Sequence, residues 1–171
     1  MTIDPQPLTV PVSLAILALN NAHSIELSRL DAERLDSLVE QSFYARKIGT
    51  VEAFLLAFDH TARYDSPNYL WFSQRFPRFV YIDRVAVAPA VRGRGYARLL
   101  YSDLFDKARS AAHNLVVCEV NSDPPNPASE AFHARMAFDE VGRASILQGS
   151  KTVRYLACHM RTGEYTQERA I

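Results

Sequence analysis

The feature that most restricts this chain is a glycine-rich turn set between a strand and a helix. Residues 78–88 form an apolar, β-prone run that ends in Val85-Ala86-Val87-Ala88. After Pro89-Ala90-Val91-Arg92-Gly93-Arg94-Gly95, the residues Ala97, Leu100, Tyr101, Leu104, Ala108 and Ala111 recur at helical spacing, which predicts a helix over 95–113. A further apolar strand is expected at 115–120. Strand, helix and strand in immediate succession fold as a right-handed crossover that leaves the two strands parallel.

The turn itself carries chemistry. Successive backbone N–H groups at a helix N-terminus form a concave set of donors that favours an anion. Gly93 and Gly95 let the backbone approach such a ligand, Ala97 is small for the same reason, and Tyr96 lies between them. Arg92, Arg94 and Arg98 add charge able to pair with phosphate oxygens. Neither common nucleotide motif is present: no Lys-Ser/Thr follows the glycines as in a Walker A loop, and no three-glycine dinucleotide fingerprint follows the first strand.

Around this crossover the chain reads as one α/β domain over 12–162, between a loose proline-containing leader at 1–11 and a tail at 163–171. The apolar run 13–19, ended by Asn20-Asn21, is expected to be a strand. Ser28 and Asp31 open a helix of about four turns carrying Leu35, Leu38, Val39 and Phe43. Residues 50–58 read as a strand. The stretch 59–76 is open between a short strand, a helix turn and an aromatic loop, with Asp65-Ser66-Pro67-Asn68 a turn signal ahead of Tyr69, Trp71, Phe72 and Phe76. A proline-rich stretch leads into a helix over 128–136, and strands at 139–147 and 152–160 meet around Gly149-Ser150. The sum is a mixed, mostly antiparallel central sheet with flanking helices.

Two spaced blocks carry a family resemblance. Arg92-x-x-Gly95-x-Ala97, preceded by Val85-Ala86-Val87 and Pro89, resembles the R/Q-x-x-G-x-G/A signature of the GNAT superfamily of N-acetyltransferases. Asn126-x-x-Ser129-x-x-Phe132-His133-x-x-x-Ala137-Phe138 is similar to the family's later N-x-x-A-x-x-L/F-Y-x-x-x-G-F pattern. The resemblance covers about 79–160. It implies a single-domain GNAT-like fold with a splayed parallel strand pair, and acetyl-CoA as acyl donor. The pantetheine arm would bond the backbone of Val85, Ala86 and Val87, and the pyrophosphate would lie over Arg92, Gly93, Arg94, Gly95, Tyr96, Ala97 and Arg98. Asn126 and Ser129 match positions near the arm and thiol.

The implied reaction is direct attack of a primary amine, from a small molecule or a polypeptide, on the thioester. For the base, Glu119 matches the Glu of the family's L-E-V strand segment, and Asp83 is the rival, expected by strand alternation to share a face with Val85 and Val87. A backbone N–H near Val87 is the expected oxyanion donor. His133 stands where the family pattern has a Tyr acid. An imidazolium can protonate a thiolate, but with a pKa of about 6.5 it is mostly neutral at pH 7 unless a neighbour raises it. Ala137 replaces the usual Gly, which argues that the turn before Phe138 avoids positive φ. Acceptor-side candidates are Asn20, Asn21, His23, Phe43, Tyr44, Tyr69, Trp71, Phe72 and Arg75. A non-catalytic acyl-CoA-binding module is the alternative, because binding needs only the backbone and the turn.

Charge and composition restrict partners. Nineteen Lys plus Arg balance nineteen Asp plus Glu, so no overall field draws the chain to nucleic acid or an anionic membrane. No apolar run reaches the ~20 residues of a membrane helix, and the start lacks the pattern of a signal peptide, so a cytoplasmic protein is expected. Cys118 and Cys158 sit in apolar runs without metal or redox spacing and are expected as buried thiols; no metal is expected. Dimerisation is common in the resembled family, and the last hairpin is suited to support a homodimer.

Overall fold

The computed structural model describes residues 3–160; the expected tail at 163–171 lies outside the described residues. The chain order is β1 (Gln6–Pro7), α1 (Leu14–Ala22), α2 (Ala32–Gln41), β2 (Tyr44–Ile48), β3 (Ala53–Asp59), α3 (Pro67–Ser73), β4 (Val80–Val87), α4 (Tyr96–Ser110), β5 (Leu115–Asp123), α5 (Pro127–Arg135), β6 (Asp139–Ile146) and β7 (Lys151–His159). The strands form one sheet in the order β1-β2-β3-β4-β5-β7-β6. All neighbours are antiparallel except β4 and β5, the parallel pair joined by α4.

Each face of the sheet buries its own core. Ile16 and Leu19 of α1, Leu35 and Leu38 of α2, and Tyr69 and Phe72 of α3 pack on Phe54, Leu56, Phe58 and Tyr81. On the other face Leu100, Tyr101, Leu104 and Ala108 of α4 pack on Leu55, Val80, Ile82 and Val116. That α4 stripe is the helical periodicity visible in the sequence.

Four local expectations are corrected. Residues 13–19 form α1 rather than a strand: Ser13 accepts from the Ile16 N–H, and Ile16, Leu19 and Asn20 are buried at helical spacing. A short apolar run fits either element, and here the cap and the tertiary contacts decide. The leader is pinned, with Gln6–Pro7 paired to β2 and Leu8 and Val12 buried. The Val12 N–H donates to Asp36 Oδ1 at 2.6 Å. The second helix stops at Gln41, capped at its start by Asp31, and Phe43 leads instead into β2, a strand hidden by Arg46 and Lys47 in its middle.

The fourth correction is Ala137, which adopts φ 62°. The Phe138 N–H reaches back to His133 O at 3.0 Å, closing α5 with a left-handed residue, and buried Phe138 anchors the exit. An alanine there bears a steric cost that glycine lacks. Ala137→Gly is therefore expected to raise stability in urea unfolding by about 0.5–1 kcal/mol; an unchanged or lower midpoint would contradict the left-handed assignment.

Candidate active site

The strands β4 and β5 pair only at Val80 with Val116 and Tyr81 with Val117, then part. Beyond this point β4 keeps its ladder to β3 but has no partner on the β5 side among the described residues. The Ala88 N–H turns to β3, donating to Glu52 O at 2.8 Å. By strand alternation Val85 and Val87 aim their N–H and C=O groups at the gap, while Ala86 faces β3. The parted strands thus leave a bare backbone edge where an extended ligand can add as a strand.

At the end of that edge the chain enters the glycine turn. Gly93 and Gly95 have φ of 77° and 81°, conformations that suit glycine, and a Cβ at either would meet nothing within 4 Å. Gly95 begins α4 with no side-chain cap. The first helical bond is that of the Leu99 N–H to Gly95 O at 3.0 Å, so the N–H groups of residues 93–98 have no acceptor among the described residues. A fifteen-residue helix adds its dipole to these donors. Arg92, Arg94 and Arg98 are exposed around them, whereas the Tyr96 ring is buried in the core and offers only its backbone. Arg92 also reaches His23 Nε2 at 3.1 Å, tying the turn to the end of α1.

Within the gap the two candidate carboxylates share one face of the sheet. A bulge makes Leu56 and Ala57 of β3 face Arg84 and Ile82, leaving Asp83 extra. Asp83 and Arg84 consequently both turn toward α1 and α3, and Asp83 lies on the face opposite Val85 and Val87, contrary to simple alternation. Both Asp83 oxygens are engaged: Oδ1 accepts from Tyr64 at 2.6 Å and Oδ2 from the Arg84 guanidinium. Arg84 in turn donates to Asn20 Oδ1 at 2.9 Å. This ion pair is almost fully buried.

Glu119 differs. Its Oε1 accepts from Asn68 at 2.9 Å, while Oε2 is buried without a hydrogen-bond partner among the described residues. Burial, followed by the nearby Asp83 charge, pushes its carboxyl up to about 7, against the opposing pull of Tyr81 and Asn68. Asn68 Oδ1 accepts from the Tyr155 hydroxyl at 3.0 Å, and the Tyr155 ring stacks on Trp71 at 4.1 Å, with Arg75 above Trp71. The helix α3, left open in the sequence, therefore sets the position of Glu119.

His133 is on the other face, 4% exposed. Its Nδ1 lies 2.8 Å from Ser129 O, which fixes Nδ1 as the donor, and Nε2 lies 2.8 Å from the Tyr101 hydroxyl, which must then donate to it. Burial lowers its pKa despite the Ser129 carbonyl. The ring is neutral at pH 7, and neither nitrogen keeps a free N–H for a departing sulfur. Asn126 caps α5 through the Ser129 N–H.

Of the acceptor-side candidates, Trp71 and Arg75 stand beside the gap, while Tyr69 and Phe72 are core. Asn20 holds Arg84, and Asn21 bonds Leu30. Tyr44 bonds Asp103 on the α4 face, remote from this cluster. Asn68, Tyr155, Tyr64 and Arg84 carry no sequence motif and meet only through the fold.

A family model described as the acetyltransferase (GNAT) family matches residues 19–138. The chain is 41% identical over 61 residues to an L-2,4-diaminobutyric acid acetyltransferase of Nocardia farcinica (strain IFM 10152), covering 36% of this chain and 31% of that protein. The match thus spans about a third of that relative's length. Among solved structures, the ribosomal-protein-S18-alanine N-acetyltransferase from Escherichia coli is similar at a TM-score of 0.67 and 14% identity, over 98% of this chain and 100% of that one. NAA60 of Arabidopsis thaliana, in complex with acetyl-CoA, is similar at a TM-score of 0.69 and 18% identity, over 93% and 100%. At these identities the likeness is one of fold.

A carboxyl raised in the fold favours its neutral form there, so its contribution to stability is full below the ordinary value of 4.5 and is lost as pH rises through about 7. Wild type is expected to lose on the order of 1–3 kcal/mol relative to Glu119→Gln between pH 5 and 8. Parallel denaturation curves for the two proteins across that range would contradict the raised carboxyl.

Proposed function

The chain belongs to the acetyltransferase (GNAT) family, and we propose that it transfers an acetyl group from acetyl-CoA to a primary amine of a small molecule or a polypeptide. The observation that carries this reading is the bare edge of β4 at Val85 and Val87, running straight into the uncapped N–H groups of residues 93–98. An extended amide-containing arm ending in a pyrophosphate matches both in order: strand-like bonds first, then an anion. Arg92, Arg94 and Arg98 add charge-assisted bonds to phosphate oxygens.

Acetyl-CoA supplies the activated acetyl group. Glu119 takes a proton from the substrate ammonium at Oε2, the oxygen without a protein partner. A pKa near 7 suits that task, because the carboxylate is present at neutral pH and remains basic enough to accept. The neutral amine attacks the thioester carbon, and the Val87 N–H, aimed into the gap, stabilises the oxyanion. Collapse breaks the C–S bond, and the thiolate takes up the proton that the new amide nitrogen loses. Asp83 acts through its charge, which raises Glu119, because its own oxygens serve Tyr64 and Arg84. His133 holds the α4–α5 packing beside the thiol position, and a thiol of pKa about 8.5 leaves without an imidazolium.

The test is thiol release from acetyl-CoA over a panel of small amines and peptides. With a working acceptor, kcat is expected to rise with pH and level off above about 7. Glu119→Gln should lower it about 10²–10⁴-fold and remove that inflection. If acetyl-CoA raises the melting temperature but no acceptor releases thiol, the chain is an acyl-CoA-binding module. Unchanged turnover in Glu119→Gln would remove Glu119 as the base.

A further inference from the structure

At the other end of the sheet from the parted strands, three potential ligands converge. Asp59 is the last residue of β3, and His60 follows it, its N–H bonded to Phe79 O at 3.0 Å. His113 lies on the link between α4 and β5, its N–H bonded to Ala108 O at 2.9 Å. One donor atom from each of Asp59, His60 and His113 falls within 4.8 Å of the others. Asp59 pairs with Val80, whereas Val87 pairs with Ala53. Counted along β3 at ~3.3 Å per residue, the cluster is thus about 13 Å from Val85 and about 20 Å from Val87 on the bare edge.

Hydrogen bonding leaves this cluster incomplete. The Nδ1 of His60 is buried and unpartnered among the described residues, as is the Nδ1 of His113, the ring nitrogen other than the one that faces Asp59. Such groups are uncommon because leaving a buried polar atom unpaired costs about 1–3 kcal/mol. Asp59 Oδ1 accepts from the Thr61 N–H and hydroxyl, so the free oxygen is Oδ2. That oxygen stands 4.0 Å from His113 Nε2. The distance is too long for a hydrogen bond, but within the span of two metal–ligand bonds of about 2.0–2.2 Å each. A small closure of the side chains would reach tetrahedral spacing.

The surroundings are compatible with an ion. The Arg78 guanidinium is turned to the end of α4, donating to Ala111 O at 2.8 Å and Ala112 O at 3.2 Å. Open depressions reach the cluster from two sides, one lined by His60 and the other by Asp59. Phe43 edges against His113 and shields the inner side.

We propose that Asp59, His60 and His113 bind one divalent transition-metal ion of the zinc type, with water completing its shell, joining the end of β3 to the α4–β5 link. Two imidazoles and one carboxylate suit Zn²⁺ and its late first-row neighbours, whereas Mg²⁺ and Ca²⁺ favour all-oxygen sets. The site is independent of acetyl transfer.

After dialysis against chelator, titration with ZnCl2 should give one ion per chain by calorimetry. It should raise the melting temperature by about 5 °C or more at a hundredfold excess over Kd, while MgCl2 should do neither. His60→Ala and Asp59→Asn, each at a part-exposed position, should weaken binding at least tenfold, and exposed His159→Ala should leave it unchanged. His113→Ala is a third probe, and the first two decide the matter if it does not fold. Absence of zinc binding in the wild type, or equal binding in His60→Ala and Asp59→Asn, would overturn the proposal.

Discussion

The structure depends on a separation that its backbone would not choose by itself. Two parallel strands normally continue their ladder, since each unmade pair leaves an N–H and a C=O to find water or a ligand. Here β4 and β5 stop after Tyr81 and Val117. Immediately beyond, β4 carries its bulge, and the buried Asp83–Arg84 pair is braced by Tyr64 on one side and Asn20 on the other. These contacts turn two successive β4 side chains onto one face and bend the strand as it leaves β5. Register also shifts at Asn121/Asp123 and at Glu140/Gly142, but the bulge between β3 and β4 is the one that falls where the proposed ligand would lie.

The same ion pair shapes the electrostatics of the gap. A buried pair contributes little net stability, because desolvation offsets much of the attraction. Its effect is directional instead. Asp83, fixed by two donors, places a negative charge near Glu119 that Glu119 cannot neutralise by sharing a proton. The result is one carboxylate with both oxygens taken up by partners and a second kept weakly acidic by burial and by the first. Two similar side chains on adjacent strands thereby acquire different chemistry, which suits the roles proposed for them.

On the opposite face the α5 end is organised around packing. His133 lies among Phe132, Phe138 and Tyr101, and its two nitrogens are saturated by Ser129 and the Tyr101 hydroxyl. Ala137 accepts a left-handed backbone so that Phe138 can close this cluster. Among the described residues no helix is long and apolar enough to cross a membrane, consistent with apolar surface being directed into these two cores.

The sequence by itself determined what local periodicity and residue type can encode. The α4 stripe, the strands on either side of it and the glycine turn were legible, because Leu100, Leu104 and Ala108 repeat at helical spacing and Gly93 and Gly95 mark backbone that few other residues adopt. The run 13–19 is ambiguous because a short apolar segment satisfies both periods, and β2 is hidden because Arg46 and Lys47 interrupt its apolar pattern. Tertiary structure alone decided the rest. It set the Asp83 bulge by the register of β3, gave Glu119 its partner Asn68 from a helix with no readable signal, and took from His133 any free proton. Those properties come from groups far apart in the chain meeting at low dielectric, where pairing and burial fix protonation, and no local pattern records such meetings.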